Sequence, residues 1–472
     1  MPRSFRRIFA IFTVLALGLA AAPAAAQTEI RLWHYMGGQL GAELDALVAR
    51  FNDAQKDVRV VAEQKGSAED TMIAALNALS GQSQRVPGAP HLVQASDIGT
   101  AQMIAARSAI RPVWQVMQEG GEPLDAHAFL PAVASYFADG QGRLLALPFN
   151  ISTPILFYNK DAFRRAGLDP EAPPKTWYEM PKAMGALLAA GFDCAYTTSW
   201  PSWIQVENMS TWHNQDFATR DNGLAGLDAK LIFNTHLMVR HISMLSSWVR
   251  SGYFTYSGRR IEGERRFARG ECAMVTAASS SSAQLRAEAK FGFGVAQLPY
   301  YDDIKGAPHH SLVSGGGLWA AAGRSHAEAR AMARFLAYLA RPEVQADWHQ
   351  RTGYVPVTRA AYEMTAKSGF YQAHPGQEIA IRQLLLNAPT RESRGIRLGE
   401  FAAIRAIIEE ELEGVWSGKV PPKLALDRAA ERGDALLRKF ERAHRGGAEP
   451  ETPARSPRGP APPPIRKRGS PK

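Results

Sequence analysis

Cysteine is almost missing from this chain of 472 residues: there are 2, Cys194 and Cys272. So few exclude a disulfide-dense mini-scaffold. Neither has the Cys-x-x-Cys spacing of a zinc or redox site. In an oxidising compartment the two either close a disulfide or stay apart as buried thiols. Enzyme signatures are missing as well. There is no phosphate loop ending in Gly-Lys-Ser/Thr, no strand-linked Gly-x-Gly-x-x-Gly, no His-Glu-x-x-His and no Gly-x-Ser-x-Gly elbow, which weakens the usual nucleotide-enzyme and hydrolase readings. No cofactor and no metal are expected. His309-His310 in a Pro-preceded loop reads as solvated rather than as a metal or base pair.

A basic face is lacking too, although the formal charge is +10. Arg3, Arg6 and Arg7 at one end, and six Lys or Arg against two Glu in residues 446–472, carry most of the excess and leave about +3 for residues 27–445. That balance gives no argument for a nucleic-acid partner. After residue 27 no apolar run approaches the roughly 20 residues of a spanning helix, and neither a solenoid repeat nor a heptad run occurs.

What is present begins with a basic start, the apolar stretch 8–22 and Ala24-Ala25-Ala26 before Gln27. This is the pattern of a secretory signal peptide over residues 1–26, cleaved on export to the periplasm; a retained anchor would need a longer apolar run. Residues 446–472 hold eight Pro and almost no large apolar side chain, so a disordered tail is expected, either a solvated extension or a tether to anionic surfaces. Between these ends, Ile30 and Leu32 alternate as a strand. Leu44, Leu47, Val48 and Phe51 then recur at helical spacing before the β-branched stretch 58–61, a β-α-β start. Strand patterns return at 155–158 and 291–298 and a helical one at 182–190. Ser325 reads as the N-cap of a helix ending before Pro342, and further helices are expected over 399–416 and 421–440. An α/β class follows, with helices covering mixed or parallel sheets.

Four segments, Leu32-Trp33-His34, Pro148-Phe149-Asn150-Ile151-Ser152-Thr153-Pro154, Tyr158-Asn159-Lys160-Asp161-Ala162-Phe163 and Pro173-Pro174-Lys175-Thr176-Trp177, resemble the extracytoplasmic solute-binding proteins of bacterial ABC importers. Three more, Trp200-Pro201-Ser202-Trp203-Ile204-Gln205-Val206-Glu207-Asn208, Trp348-His349-Gln350-Arg351-Thr352-Gly353-Tyr354 and Arg397-Leu398-Gly399, narrow the resemblance to the periplasmic sn-glycerol-3-phosphate-binding proteins, over about residues 30–440. The resemblance implies the type II periplasmic binding protein fold, two α/β lobes joined by crossing strands with a hinge. Crossings near Asn150, Ser314 and Pro356 place residues 27–150 and 316–355 in the first lobe, and 151–315 and 356–443 in the second. It also implies a non-enzymatic receptor, monomeric so that the lobes move freely. Such a receptor takes up sn-glycerol 3-phosphate or a glycerophosphodiester and hands it to ABC permease subunits in the inner membrane, driven by ATPase subunits on the cytoplasmic side. A sugar or oligosaccharide receptor, or a secreted glycerophosphodiester hydrolase, are the alternatives.

The same resemblance names ligand residues, each beside a plainer role. Trp200 and Trp203 would form an apolar wall for glycerol, or else pack in a core. Arg405 would meet the phosphate, or else pair with Glu409 one helical turn on. Ser152 and Tyr354 would offer hydroxyls, or else serve as a turn residue and a half-buried aromatic. Gly315 would let a backbone amide reach the ligand, a role compatible with a turn between lobes. Asp97 would accept glycerol hydroxyls, or else cap a helix. Two family hydroxyls are missing, because Ala68 stands where the family has tyrosine and Ala278 where it has serine; Ser279 is the candidate replacement for the second.

Overall fold

A computed structural model describes residues 27–80 and 88–445. The signal-peptide segment and the Pro-rich tail lie outside the described residues. Among the described residues ten strands form two sheets. The first sheet holds β1 (Thr28–His34), β2 (Val58–Gln64), β3 (Leu92–Ser96), β4 (Ile110–Arg111), β5 (Leu147–Ser152) and β10 (Ser314–Ala321), in the order β2-β1-β3-β10-β4 with β5 also paired to β10. The second holds β6 (Pro154–Asn159), β7 (Cys194–Thr198), β8 (Cys272–Ala278) and β9 (Phe293–Ala296), in the order β7-β8-β6-β9.

The local reasons are those the residue pattern carries. Ile30 and Leu32 are fully buried on one face of β1, while Leu44, Leu47, Val48 and Phe51 form the buried stripe of the helix Gly38–Ala54, which returns the chain to β2 parallel to β1. Ser325 caps the helix His326–Leu339 in a capping box with Glu328. The expected helix over 399–416 begins at Phe401 instead. Gly399 is held against the ring of Phe440, where a Cβ would come within 2.2 Å, and Glu400 takes a left-handed conformation before the first turn. The strand expected over 291–298 is confined to β9, because the Leu298 N–H is drawn off to the side chain of Gln383.

The sheets are stitched together at one place. Only Thr153, fully buried, separates β5 in one sheet from β6 in the other. Beside it β10 runs antiparallel to β5, pairing Ser314 with Ser152 and Gly315 with Ile151, and the Val355 N–H donates to the Ile151 carbonyl at 2.8 Å. Three strands of chain therefore pass side by side between the two halves. Gly315 makes this approach feasible: its φ is +130°, and a Cβ there would sit 1.8 Å from the Asn150 carbonyl oxygen.

Cys194 and Cys272 begin the parallel strands β7 and β8, stand opposite each other in register, and are joined by a disulfide. The solvated reading of His309-His310 is corrected. His310 is only 1% exposed, its Nδ1 lies 3.0 Å from the Ser311 carbonyl, and burial pushes its pKa down to about 4. His309 is half-buried. Packing of this loop against the Trp212 carbonyl, which accepts from the His309 N–H, outweighs the polar character of the loop.

Candidate functional site

Arg405 stands in the second turn of the helix Phe401–Trp416. That helix packs against the long helix Pro422–His444, and both touch the helix His236–Arg250 as well. Its guanidinium reaches two acids from different parts of the chain. Nε and Nη2 donate to Glu207 at 2.7 and 2.6 Å in a fork, and Nη2 also lies 3.4 Å from an oxygen of Asp97. Glu207 ends a π-helical turn, Trp203–Glu207, that follows β7; Asp97 opens a 3-10 turn directly after β3. One arginine thus ties the second sheet's half to the first's. The expected alternative for Arg405, a pair with Glu409, is not what forms: Glu409 instead receives Arg260 at 3.3 Å.

The charges are held away from water. The side chains of Glu207 and Asp97 are 0% and 1% exposed and that of Arg405 is 11% exposed. Burial pushes the Glu207 carboxyl above the ordinary glutamate range, and Arg405 opposes that push. Burial likewise works against the Arg405 charge, but the two carboxylates outweigh it and hold the proton more firmly than usual. Nη1 of Arg405 makes no hydrogen bond among the described residues.

Asp97 is not a helix cap. One of its oxygens accepts from the Ser96 hydroxyl at 2.8 Å, the Ser314 hydroxyl at 3.1 Å and the Gly315 N–H at 3.2 Å, which leaves the other for Arg405. The Gly315 amide therefore meets a carboxylate of the protein itself. Ser152 donates to the Ser314 carbonyl at 3.4 Å. Next along β5, Asn150 donates toward the hydroxyls of Tyr35 at 3.3 Å and Tyr354 at 3.5 Å and accepts from Gln94 at 2.8 Å. Burial pushes both tyrosines above their ordinary pKa, so each keeps a proton to donate. Asp97, Ser152, Gly315, Tyr354 and Arg405 are brought into one polar cluster at the crossing of the strands.

The tryptophans border this cluster differently. Trp203, 4% exposed, packs in the hydrophobic core one turn before Glu207. Trp200 is partly buried and held at φ +49°, a costly conformation for a bulky aromatic. The Arg260 guanidinium covers its ring at 5.3 Å and also pairs with Glu409, one helical turn beyond Arg405. Trp200 is linked to the cluster through that relay. Ser279 is buried beside the crossing, its hydroxyl accepting the Thr153 N–H at 3.2 Å. Ala278 ends β8 opposite Pro154. Ala68 opens the helix Ala68–Leu79, one turn before Met72, whose sulfur rests against Gly99 in the turn that carries Asp97.

Residue-by-residue reading missed Glu207, Asn150, Tyr35 and Gln94. Glu207 was within reach, since it lies four residues after Trp203 in a quoted segment. Asn150 was in a quoted segment too, named there only as a crossing point; Tyr35 and Gln94 are ordinary polar residues, with nothing in their spacing to single them out.

Comparison with known proteins places this geometry among others. The family model "Bacterial extracellular solute-binding protein" matches residues 46–378. The chain is 46% identical over 426 residues to the sn-glycerol-3-phosphate-binding periplasmic protein UgpB of Yersinia pseudotuberculosis, covering 90% of this chain and 96% of that one. It is 45% identical over 444 residues to the protein of the same name from Pectobacterium atrosepticum, covering 93% and 99%. Among solved structures, it is similar to UgpB from Mycobacterium tuberculosis in complex with glycerophosphocholine, with a TM-score of 0.70, 22% identity and 88% and 99% of the two chains covered. A cyclic alpha-maltosyl-1,6-maltose binding protein from Arthrobacter globiformis superposes with a TM-score of 0.71 at 22% identity, over 88% of this chain and 100% of that one. The two-lobe, type II periplasmic binding fold is common to these structures and to this chain.

Proposed function

The chain belongs to the bacterial extracellular solute-binding protein family, and from that premise we propose that it is the receptor of an ABC importer for sn-glycerol 3-phosphate or a glycerophosphodiester. It is exported to the periplasm on a signal peptide removed before Gln27 and works as a monomer without catalysis. One lobe comprises residues 27–150 and 316–355, the other 151–315 and 356–443. Closure around the ligand presents both lobes to membrane permease subunits, whose cytoplasmic ATPase partners supply the energy.

The observation that carries this reading is the placement of Arg405. A buried arginine is fixed by a fork to Glu207, so its remaining Nη1 edge is aimed rather than free to wander. The hydroxyls of Ser152, Ser314 and Tyr354 belong to the same polar cluster, and the partly buried Trp200 is linked to it through Arg260 and Glu409. A ligand phosphate oxygen would take Nη1 and the hydroxyls, while the indole of Trp200 would take the carbon chain. Bridging Asp97 on one half and Arg405 on the other, the ligand favours the closed arrangement by its extra contacts there.

Calorimetric titration of the protein from Gln27 onward with sn-glycerol 3-phosphate, glycerophosphocholine and maltose tests the assignment. Saturable binding of a phosphorylated ligand, with no free choline or other product after long incubation, is expected. Heat with maltose alone would move the chain to the sugar receptors, and release of choline would make it an enzyme.

A further inference from the structure

A tyrosine outside the expected ligand set is prepared as a donor at the strand crossing, and the inference it supports rests on the phosphate-ligand reading above. Tyr35 follows β1 directly and is half-buried. Its backbone N–H donates to Gln94 Oε1 at 3.1 Å. A backbone N–H can only donate, so this bond fixes which way round the Gln94 amide lies. The Gln94 NH2 group then donates to Asn150 Oδ1 at 2.8 Å, which fixes the Asn150 amide in turn. The Asn150 NH2 group is left facing two phenol oxygens, that of Tyr35 at 3.3 Å and that of Tyr354 at 3.5 Å. One backbone amide thus polarises the whole relay. Both hydroxyls accept, and among the described residues neither meets an acceptor for its own proton.

The strand beside this pair is shaped to admit it. A Cβ at Gly316 would lie 2.5 Å from the Tyr35 hydroxyl oxygen and 2.9 Å from Asn150 Oδ1, so only glycine leaves room for the two to meet. Tyr354 and Asp97 stand near enough for their charges to act on the Tyr35 phenol, which places it with the cluster. The position also bears on the hydroxyl missing at Ala68. β1 and β2 end side by side, with His34 paired to Gln64 and the Lys65 N–H donating to the His34 carbonyl. Tyr35 leaves one strand end, and Ala68 opens the helix just beyond the other. We propose that Tyr35 is a ligand-binding residue of this chain, its hydroxyl donating with that of Tyr354 to oxygens of the ligand phosphate, and that it supplies from the end of β1 the hydroxyl absent at Ala68. Anionic oxygens are the acceptors that reward such donors most, because hydrogen bonds to a charged group are the stronger ones.

Tyr35→Phe removes the proton and keeps the ring. Calorimetric Kd values for sn-glycerol 3-phosphate and glycerophosphocholine are measured on the parent and on this variant, together with the melting temperature of each without ligand. A hydrogen bond to a charged group is lost, so Tyr35→Phe is expected to weaken whichever phosphorylated compound binds the parent by about 10-fold or more. The ligand-free variant is expected to melt within about 5 °C of the parent, because the deleted proton has no partner in the protein and only the long bond from Asn150 goes with it. Adding Ala68→Tyr to Tyr35→Phe should recover part of the lost affinity, and no recovery strikes out the exchange between the two positions. A loss under about threefold in Tyr35→Phe overturns the ligand contact while the receptor reading stands. A variant that fails to fold, or melts further below the parent, overturns it as well, since the hydroxyl then serves the fold. Absence of binding by both compounds to the parent removes the receptor reading and this inference together.

Discussion

Replacing Arg405 by methionine leaves Glu207 and Asp97 facing each other without a cation. Asp97 keeps hydrogen bonds from Ser96, Ser314 and Gly315, so most of its charge stays solvated by the protein. Glu207 keeps only the Ser202 hydroxyl at 3.1 Å and is fully buried, so the damage concentrates there. Removing one partner of a buried ion pair costs about 3–5 kcal/mol, and at about 2–4 °C per kcal/mol for a lobe-sized unit the melting temperature should fall by roughly 10 °C. The loss depends on pH with a definite sign. Without Arg405 the folded Glu207 pKa rises further above its unfolded value, so the folded state holds a proton that the unfolded chain releases, and the deficit grows as pH rises from about 4.5. Differential scanning calorimetry of Arg405→Met at pH 5 and pH 7.5 should therefore show the larger gap at pH 7.5, and adding Glu207→Gln should recover at least half of it. A variant that melts within 2 °C of the parent at pH 7.5, or a double variant whose losses simply add, would refute the account of Arg405 as the neutralising cation.

Other outcomes follow from the same description. Glu264 is buried and its carboxyl pushed up to about 7 by burial, against hydrogen bonds from Ser281 and Trp200; its raised pKa removes stability as pH climbs from about 4.5 to 7, on the order of 3 kcal/mol. Glu264→Gln should thus gain on the parent in denaturant melts at pH 8 but not at pH 4.5, and a pH-independent difference would contradict this. Reduction of the Cys194–Cys272 bond, which closes a loop of 78 residues, should cost about 4 kcal/mol in the loop-entropy picture, read as a lower midpoint in urea with reductant present. Gly315→Ala would place a Cβ against the Asn150 carbonyl at a φ natural only to glycine; a loss of more than about 2 kcal/mol is expected, and an unaffected midpoint would show that the strand crossing has more slack than the geometry allows.

Much of the architecture was legible because it rests on periodicity. The buried stripe of Gly38–Ala54 and the capping box at Ser325 are written in residue spacing, and both elements form where that spacing points. The quoted clusters carried the family, and with it the gathering of Asp97, Gly315 and Arg405. What spacing does not encode is the partner across the fold. The pairing of Arg405 with Glu207 spans 198 positions, and from the helix alone Glu409 was an equally good candidate. Nor does composition foretell the left-handed backbone of Trp200 or the widened turn of Trp203–Glu207, where a π-helical turn replaces the ordinary helical one and Glu207 meets Arg405. His310 is a similar case, a polar residue whose burial depends on a loop packing distant in sequence.

Asp97 acts like a rivet driven through two plates. One oxygen is fastened to Ser96 beside it and to Ser314 and Gly315 at the strand crossing, and the other grips an arginine rooted in the opposite half. A substitution at this position will consequently disturb the resting angle between the plates as well as the floor of the crevice. Weakened uptake by such a mutant cannot be credited to lost ligand contact until its unloaded shape has been measured, for instance by small-angle scattering.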